Sequence, residues 1–215
     1  MIVDLIILGV IIAGALIGRW RGLASALLNV FSFVLAIIIS LFLYVPVENA
    51  LINNTQIDET IENTIYSRVE VSFTNKNQDK EDSKLPTYLQ KYIDDATQSA
   101  ENTTNEAMQK ASKEITKKVM DVIAFIIVFV GIRLILIVLK FATKILTKLP
   151  VLKQIDHIGG LVCGLFESIM IVYLAFAIIS IVSPTIKNEN MLKQIDSSLI
   201  GSKMYNNNII LKKIY

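Results

Sequence analysis

The chain has 215 residues, of which 53% are hydrophobic, and its mean hydropathy of +0.55 is high for a soluble domain. A net charge of +2 is too small to indicate a nucleic-acid-binding protein. The single cysteine, Cys163, excludes an internal disulfide, and with the single histidine, His157, it supplies too few ligands for a zinc site. The composition therefore points to a protein whose main partner is the lipid bilayer.

Two apolar segments open the chain and predict two transmembrane helices. Residues 2–18 carry one charge, Asp4, and residues 23–45 carry none. Arg19 and Arg21 follow the first segment, whereas a cleavable signal peptide has its positive charge before the apolar run. Both segments can cross a hydrocarbon core of about 30 Å at about 1.5 Å per residue, the first at the short limit. The connection is so short that the two helices must form an antiparallel hairpin.

The 73 residues from 46 to 118 are too long for a structureless loop. Their pattern predicts one helix over residues 47–73, a charged linker over residues 75–84 and a second helix that opens at Leu85 and continues into the next span. Each helix carries one thin apolar stripe. The prediction is an antiparallel helical hairpin, and two interpretations stay open: it packs on itself, or it offers a docking surface that a partner covers.

Two further apolar segments, residues 119–139 and residues 158–182, complete a set of four predicted spans. The tail, residues 183–215, alternates polar and apolar runs, which predicts one or two short amphipathic helices on the membrane or against the hairpin. The predicted fold is an all-α membrane protein with four transmembrane helices and a helical insertion between the second and third.

The distribution of basic residues predicts how the spans are oriented. Cytoplasmic loops carry an excess of Lys and Arg, and two connections show it. They hold Arg19 and Arg21 in the first case, and Lys140, Lys144, Lys148 and Lys153 in the second. The insertion has 9 basic and 13 acidic residues, which fits an extracytoplasmic segment. The basic tail is the evidence against this orientation.

Charged residues inside spans cost about 2.5–3.5 kcal/mol each at a helix centre, so their positions matter. Arg133 and Glu167 fall at similar depths in the third and fourth spans, and antiparallel neighbours would bring them together. We predict an ion pair between them, which either neutralises two buried charges or takes part in moving protons or solute. Asp4 and Asp121 lie near the outer ends, where we expect them to reach water and need no partner.

Small residues recur at intervals of four in the first and fourth spans, a spacing that lets helix backbones approach closely. They are Gly14, Gly18 and Gly22 in the first region, and Gly160, Gly164 and Ser168 in the second. The pattern predicts packing within the chain, with contact between two copies as the alternative.

His157 stands next to Asp156, but adjacent residues on a helix do not face each other and no nucleophile accompanies them. We expect Asp156 to lie near the N-terminal amides of its own helix, the fourth span. The sequence has no Walker, HExxH or GxSxG motif. The expectation is a protein that is not an enzyme and has no catalytic residue, cofactor or metal site.

Three stretches of sequence resemble the colicin V production protein (CvpA) family. They are Asp4-Leu-Ile-Ile with Gly18-Arg-Trp-Arg-Gly22-Leu, the run from Leu149-Pro150 through Ile155-Asp156 to Gly159, Gly160 and Gly164, and Ser198 with Tyr205-Asn-Asn in the tail. The likeness covers both membrane ends, and residues 46–118 carry little of it. His157 and Glu167 depart from the family pattern, so the ion pair would be particular to this chain. The matched positions Asp4, Arg19, Gly22, Asp156 and Gly160 have no established catalytic or binding role in the family.

The resemblance implies a multi-span protein of the bacterial inner membrane linked to toxin production or export, with wider envelope roles. Our leading hypothesis is a non-enzymatic accessory protein that holds membrane or envelope partners through the outer hairpin or the glycine faces. A small oligomeric transporter or channel, with Arg133 and Glu167 near its path, is the competing hypothesis. A membrane sensor whose outer domain responds to envelope state is a third.

Overall fold

A computed structural model describes residues 2–74, 104–142, 153–182 and 189–210. The predicted linker over residues 75–84 and the helix opening at Leu85 lie outside the described residues. Within these ranges the chain forms seven helices and no strand. The helices are α1 (Ile2–Arg21), α2 (Leu23–Asn54), α3 (Ile57–Thr74), α4 (Thr104–Ala142), α5 (Lys153–Val182), α6 (Glu189–Asp196) and α7 (Leu199–Asn206).

Four of these helices, α1, α2, α4 and α5, are long and apolar enough to cross a membrane. The prediction of an all-α protein with four transmembrane helices is therefore confirmed. The side of the membrane on which the insertion lies stays a prediction.

The helix that contains the second span is longer than the predicted span. Pro46 lies inside α2, which continues to Asn54 instead of ending at residue 45. Proline removes one backbone donor, and here the helix continues through it. The break comes at Thr55, which has an extended backbone and binds the Leu51 carbonyl oxygen through both its amide (2.9 Å) and its hydroxyl (2.7 Å). The predicted single helix over residues 47–73 is thus the end of α2 followed by α3.

The insertion packs on itself where the structure describes it. Ile65 and Val69 of α3 are fully buried, as are Ala111 and Ile115 of α4, and all four belong to one core cluster. Each thin apolar stripe covers the other, which favours the self-packed interpretation of the hairpin. The same core continues into the spans through Phe33 and the rings of α4, so the insertion and the bundle share it.

The helix α4 links the insertion to the membrane without a break. It has 39 residues, or about 58 Å at about 1.5 Å per residue, against about 30 Å for the hydrocarbon core. Close to half of α4 therefore stands outside the bilayer, where α3 packs against it.

The tail folds into α6 and α7, which pack on α1 and α5. The rings of Phe176 and Tyr205 meet edge to face, with centroids 6.2 Å apart. Asn208 donates a hydrogen bond of 2.7 Å to the Tyr173 carbonyl oxygen, and Ile210 enters the core cluster of the bundle. The tail thus docks on the ends of two spans, at the same end of the bundle as the insertion.

Candidate functional site

The helices α1 and α5 cross in direct backbone contact at their small residues. A methyl group added to Gly18 would overlap the Gly160 carbonyl oxygen and lie 2.7 Å from the Gly164 Cα atom. One added to Gly14 would overlap the Ser168 side chain. The chain itself therefore occupies this glycine face, which leaves no room there for a second copy.

Asp156 caps a helix other than its own. The Leu23 amide, the first of α2, donates a hydrogen bond of 2.7 Å to Asp156 Oδ1. Asp156 lies in the first turn of its own helix, as expected, and its carboxylate also binds an amide at the start of a different helix. The α1–α5 crossing brings the start of α5 against the α1–α2 turn, where the first amides of α2 have no intrahelical partner. Gly22 has φ 78° there, and a methyl group at this position would overlap the Asp156 carboxylate.

The turn has a second contact with α5 beside this cap. His157 Nδ1 lies 3.1 Å from the Arg19 carbonyl oxygen. His157 and Asp156 therefore both hold the α1–α2 turn. They do not face each other, as expected from their adjacency.

Asp4 plays the corresponding role at the opposite end of the bundle. Its Oδ1 accepts hydrogen bonds from the Ser198 hydroxyl (2.6 Å) and the Ile200 amide (2.8 Å), and its Oδ2 accepts one from the Leu199 amide (3.2 Å). The expectation that Asp4 needs no partner is wrong, because the tail folds back over it and offers the orphan amides of α7. Ser198 is itself the N-cap residue of α7 and accepts from the Gly201 amide at 2.8 Å.

These two caps form a reciprocal arrangement. Each crossing helix has an aspartate near its start, and that aspartate caps a helix that comes later in the chain than the other crossing helix. Asp4 of α1 caps α7, which lies beyond α5, and Asp156 of α5 caps α2, which follows α1. Sequence reasoning missed this pairing, although Ser198 just before a helical run is an N-cap signal.

The structure brings Arg133 and Glu167 together. Arg133 Nη2 lies 3.0 Å from Glu167 Oε1, and its Nη1 donates to the Asn29 carbonyl oxygen at 3.4 Å. The guanidinium also lies over the Phe33 ring, 5.3 Å from its centroid, in cation–π geometry. Lys140 Nζ donates to Asn29 Oδ1 at 2.5 Å. The sequence analysis did not single out Asn29. The clue was its polar amide side chain in an apolar segment that has no charged residue.

A second buried acidic contact lies where the insertion meets the membrane. Glu48 and Asp121 are each 5% exposed, and their carboxyl groups lie close enough to interact electrostatically. Lys118 Nζ lies 3.4 Å from Asp121 Oδ2. Asp121 was expected to reach water, but α2 continues past Pro46 and brings Glu48 over it.

These polar groups bind one another and hold helices in register. In the part of the chain that the structure describes, no three His, Cys, Asp or Glu side chains meet in a group that could hold a metal ion. Cys163 is partly buried on α5 as a free thiol. The geometry shown by Asp4, Asp156, Arg133 and Glu167 is that of an interhelical fastening.

A family model described as Colicin V production protein matches residues 3–73 and 88–207. The chain belongs to this family. No curated protein and no solved structure matches it. The match includes both capping aspartates and both helices that they cap, and it extends through most of the insertion, where the motifs had shown little likeness.

Proposed function

We propose that this colicin V production family protein is a non-enzymatic accessory of toxin production or export and of envelope maintenance, which holds partner proteins at the bacterial inner membrane. The insertion is the part that meets the partner. The observation that supports the proposal is that the insertion is joined to the spans by unbroken helices and a shared core.

Both connections between the insertion and the spans are unbroken helices. The helix α2 runs through Pro46 to Asn54, and α4 crosses from the insertion into the membrane as one helix of 39 residues. A core shared by α2, α3 and α4 joins the two parts. A partner bound to the insertion would therefore be held at a fixed position relative to the bilayer, which is the task of a scaffold.

The outer face of the insertion is polar and exposed. On α3 it includes Glu59, Asn63 and Glu70, and on α4 it includes Glu106 and Lys110. The apolar stripes are buried between the two helices, so a partner would recognise this polar face. Interfaces between proteins that are stable apart are about as polar as the rest of the surface and contain bridging waters.

Site-specific photocrosslinking in native membranes tests the proposal. A photoreactive residue replaces Glu59 or Asn63 on the insertion, and Ile127 or Leu134 on lipid-exposed positions of α4 serves as the matched control. We expect a discrete set of export or envelope proteins to be captured from the insertion and from neither control. Capture of the same proteins at all four positions, or of none at the insertion, contradicts the scaffold.

A small oligomeric transporter is the second candidate, and one observation favours it. Arg133, Glu167, Asn29 and Lys140 form a polar network in the spans. Purified protein in liposomes would then support solute or proton flux that Glu167→Gln abolishes. Flux of this kind, together with an insertion that captures no protein, would replace the scaffold with the transporter.

A further inference from the structure

The described residues place an excess of positive charge at the end of the bundle that carries the α1–α2 turn. Lys140 interacts electrostatically with Arg21, Arg133 and Glu167. Three of these four groups are cations, and Glu167 is the one anion. Glu167 is in ion-pair contact with Arg133, which leaves the charges of Arg21 and Lys140 to be balanced.

Neutral oxygens of Asn29 hold Lys140 and Arg133 in place. Asn29 Oδ1 accepts from Lys140 Nζ, and the Asn29 carbonyl oxygen accepts from Arg133. Among the residues that the structure describes, Arg21 and Lys140 have no carboxylate within ion-pair distance. In this described part of the chain, Arg21 of α1 and Lys140 of α4 thus have no carboxylate in ion-pair contact, because Glu167 is paired with Arg133 and Asp156 binds the Leu23 amide.

This location selects the kind of anion that fits. Lys140 follows Arg133 by seven residues, so it lies about 10 Å closer to the end of α4. Trp20, next to Arg21, is 83% exposed, and tryptophan at a span end is typical of the headgroup level of a bilayer. Like charges beside a low-dielectric core repel each other strongly, and a bound anion relieves the repulsion.

We propose that Arg21 and Lys140 bind the phosphodiester of an anionic phospholipid at the end of the bundle that carries the α1–α2 turn, where the Arg133–Glu167 pair lies deeper in the bundle. Basic pockets between transmembrane helices bind anionic headgroups by this chemistry, and phosphate oxygens accept strong hydrogen bonds from Lys and Arg. The site is separate from the insertion, so it goes beyond the proposed function and does not depend on it.

The chain contains the fluorophore for the experiment, because Trp20 is its one tryptophan and is adjacent to Arg21. The full chain is reconstituted with brominated phosphatidylglycerol in competition with unlabelled phosphatidylcholine, and then with the labels exchanged. Bromine quenches tryptophan on contact, so the two series give the relative affinity for the anionic lipid. We expect phosphatidylglycerol to be preferred about tenfold.

The variant Arg21→Gln with Lys140→Gln should reduce this preference to within about twofold of unity. Lys113→Gln with Lys117→Gln removes two exposed cations from the other half of α4 and should leave the preference unchanged. Lys140→Gln alone provides an intermediate that disturbs the turn less, should the double variant fail to fold. An equal loss in the control pair, or no preference in the unmodified protein, overturns the proposal. Millimolar inorganic phosphate that displaces the lipid overturns the lipid assignment in favour of a free anion.

Discussion

Single polar side chains fasten distant parts of this chain, and they do so inside or at the edge of lipid. Asp156 joins α5 to α2, and Asp4 joins α1 to α7. Each carboxylate accepts hydrogen bonds from amides at the start of a helix, which have no partner within that helix. An unsatisfied amide is more costly in a bilayer than at a water-exposed surface, because the bilayer has no water to accept its hydrogen bond. A carboxylate that binds such an amide removes this cost, as Asp4 and Asp156 do.

The Arg133–Glu167 contact leads to a prediction about energetic coupling. We expect Arg133→Gln to lower the free energy of unfolding more than Glu167→Gln, since the guanidinium also contacts Asn29 and Phe33. The double variant should be destabilised by about 1 kcal/mol less than the sum of the two single effects. The measurement is reversible unfolding in mixed micelles with increasing SDS.

A matched cycle combines Glu167→Gln with Lys110→Gln, which is exposed on the insertion half of α4. These two changes should add, because distant sites without shared partners behave independently. Additive effects of Arg133→Gln and Glu167→Gln would mean that the two side chains do not stabilise each other.

At the scale of elements, the α1–α5 crossing depends on the absence of side chains at particular glycines. Gly18→Ala and Gly164→Ala would each place a methyl group against backbone atoms of the opposite helix, which cannot yield as a flexible side chain can. We expect each variant to lower the free energy of unfolding by about 1–3 kcal/mol, as overpacking does in tight cores. Unfolding can be followed by the reaction of Cys163, the single cysteine, with a thiol dye.

Two other glycines of the spans provide the control. Gly9 and Gly131 have open space where a methyl group would go. Gly9→Ala and Gly131→Ala should leave stability unchanged or raise it by up to about 1 kcal/mol, because alanine favours a helix. Equal losses at all four positions would indicate a general intolerance to substitution and would rule out close packing as the cause.

The sequence predicts the elements well because each span is a long apolar run, a signal that needs no knowledge of the neighbours. The apolar runs give the number of spans. Counting residues along them gives the spacing of the small residues in α1 and α5 and the similar depths of Arg133 and Glu167. The end of α2 could not, since a proline usually ends a helix and the core beneath Glu48 is formed by residues far along the chain. The partners of Asp4 and Asp156 were also hidden, because both lie more than a hundred residues away.

For the molecule as a whole, the structure places the insertion and the tail at one end of the bundle and the Arg19–Arg21 turn at the other. Four spans return the chain to the side from which it began, so α7 can reach Asp4. The positive charge of the turn predicts that its end is cytoplasmic, which would make the opposite end extracytoplasmic. The positive charge of the tail was the sequence evidence against this orientation. In the structure the tail packs on α1 and α5, at the same end of the bundle as the insertion.

Labelling of single cysteines in whole cells tests this topology. In a Cys163→Ser background, cysteine replaces the exposed Asn63 of α3, Lys203 of α7 or Trp20 of the turn. We expect a membrane-impermeant maleimide to react with the first two in intact cells and with the third only after the membrane is opened. Asn63→Cys and Lys203→Cys must behave alike, because both positions lie at one end of the bundle. Labelling of the turn from outside would reverse the orientation, and opposite behaviour of the first two positions would contradict the docking of the tail itself.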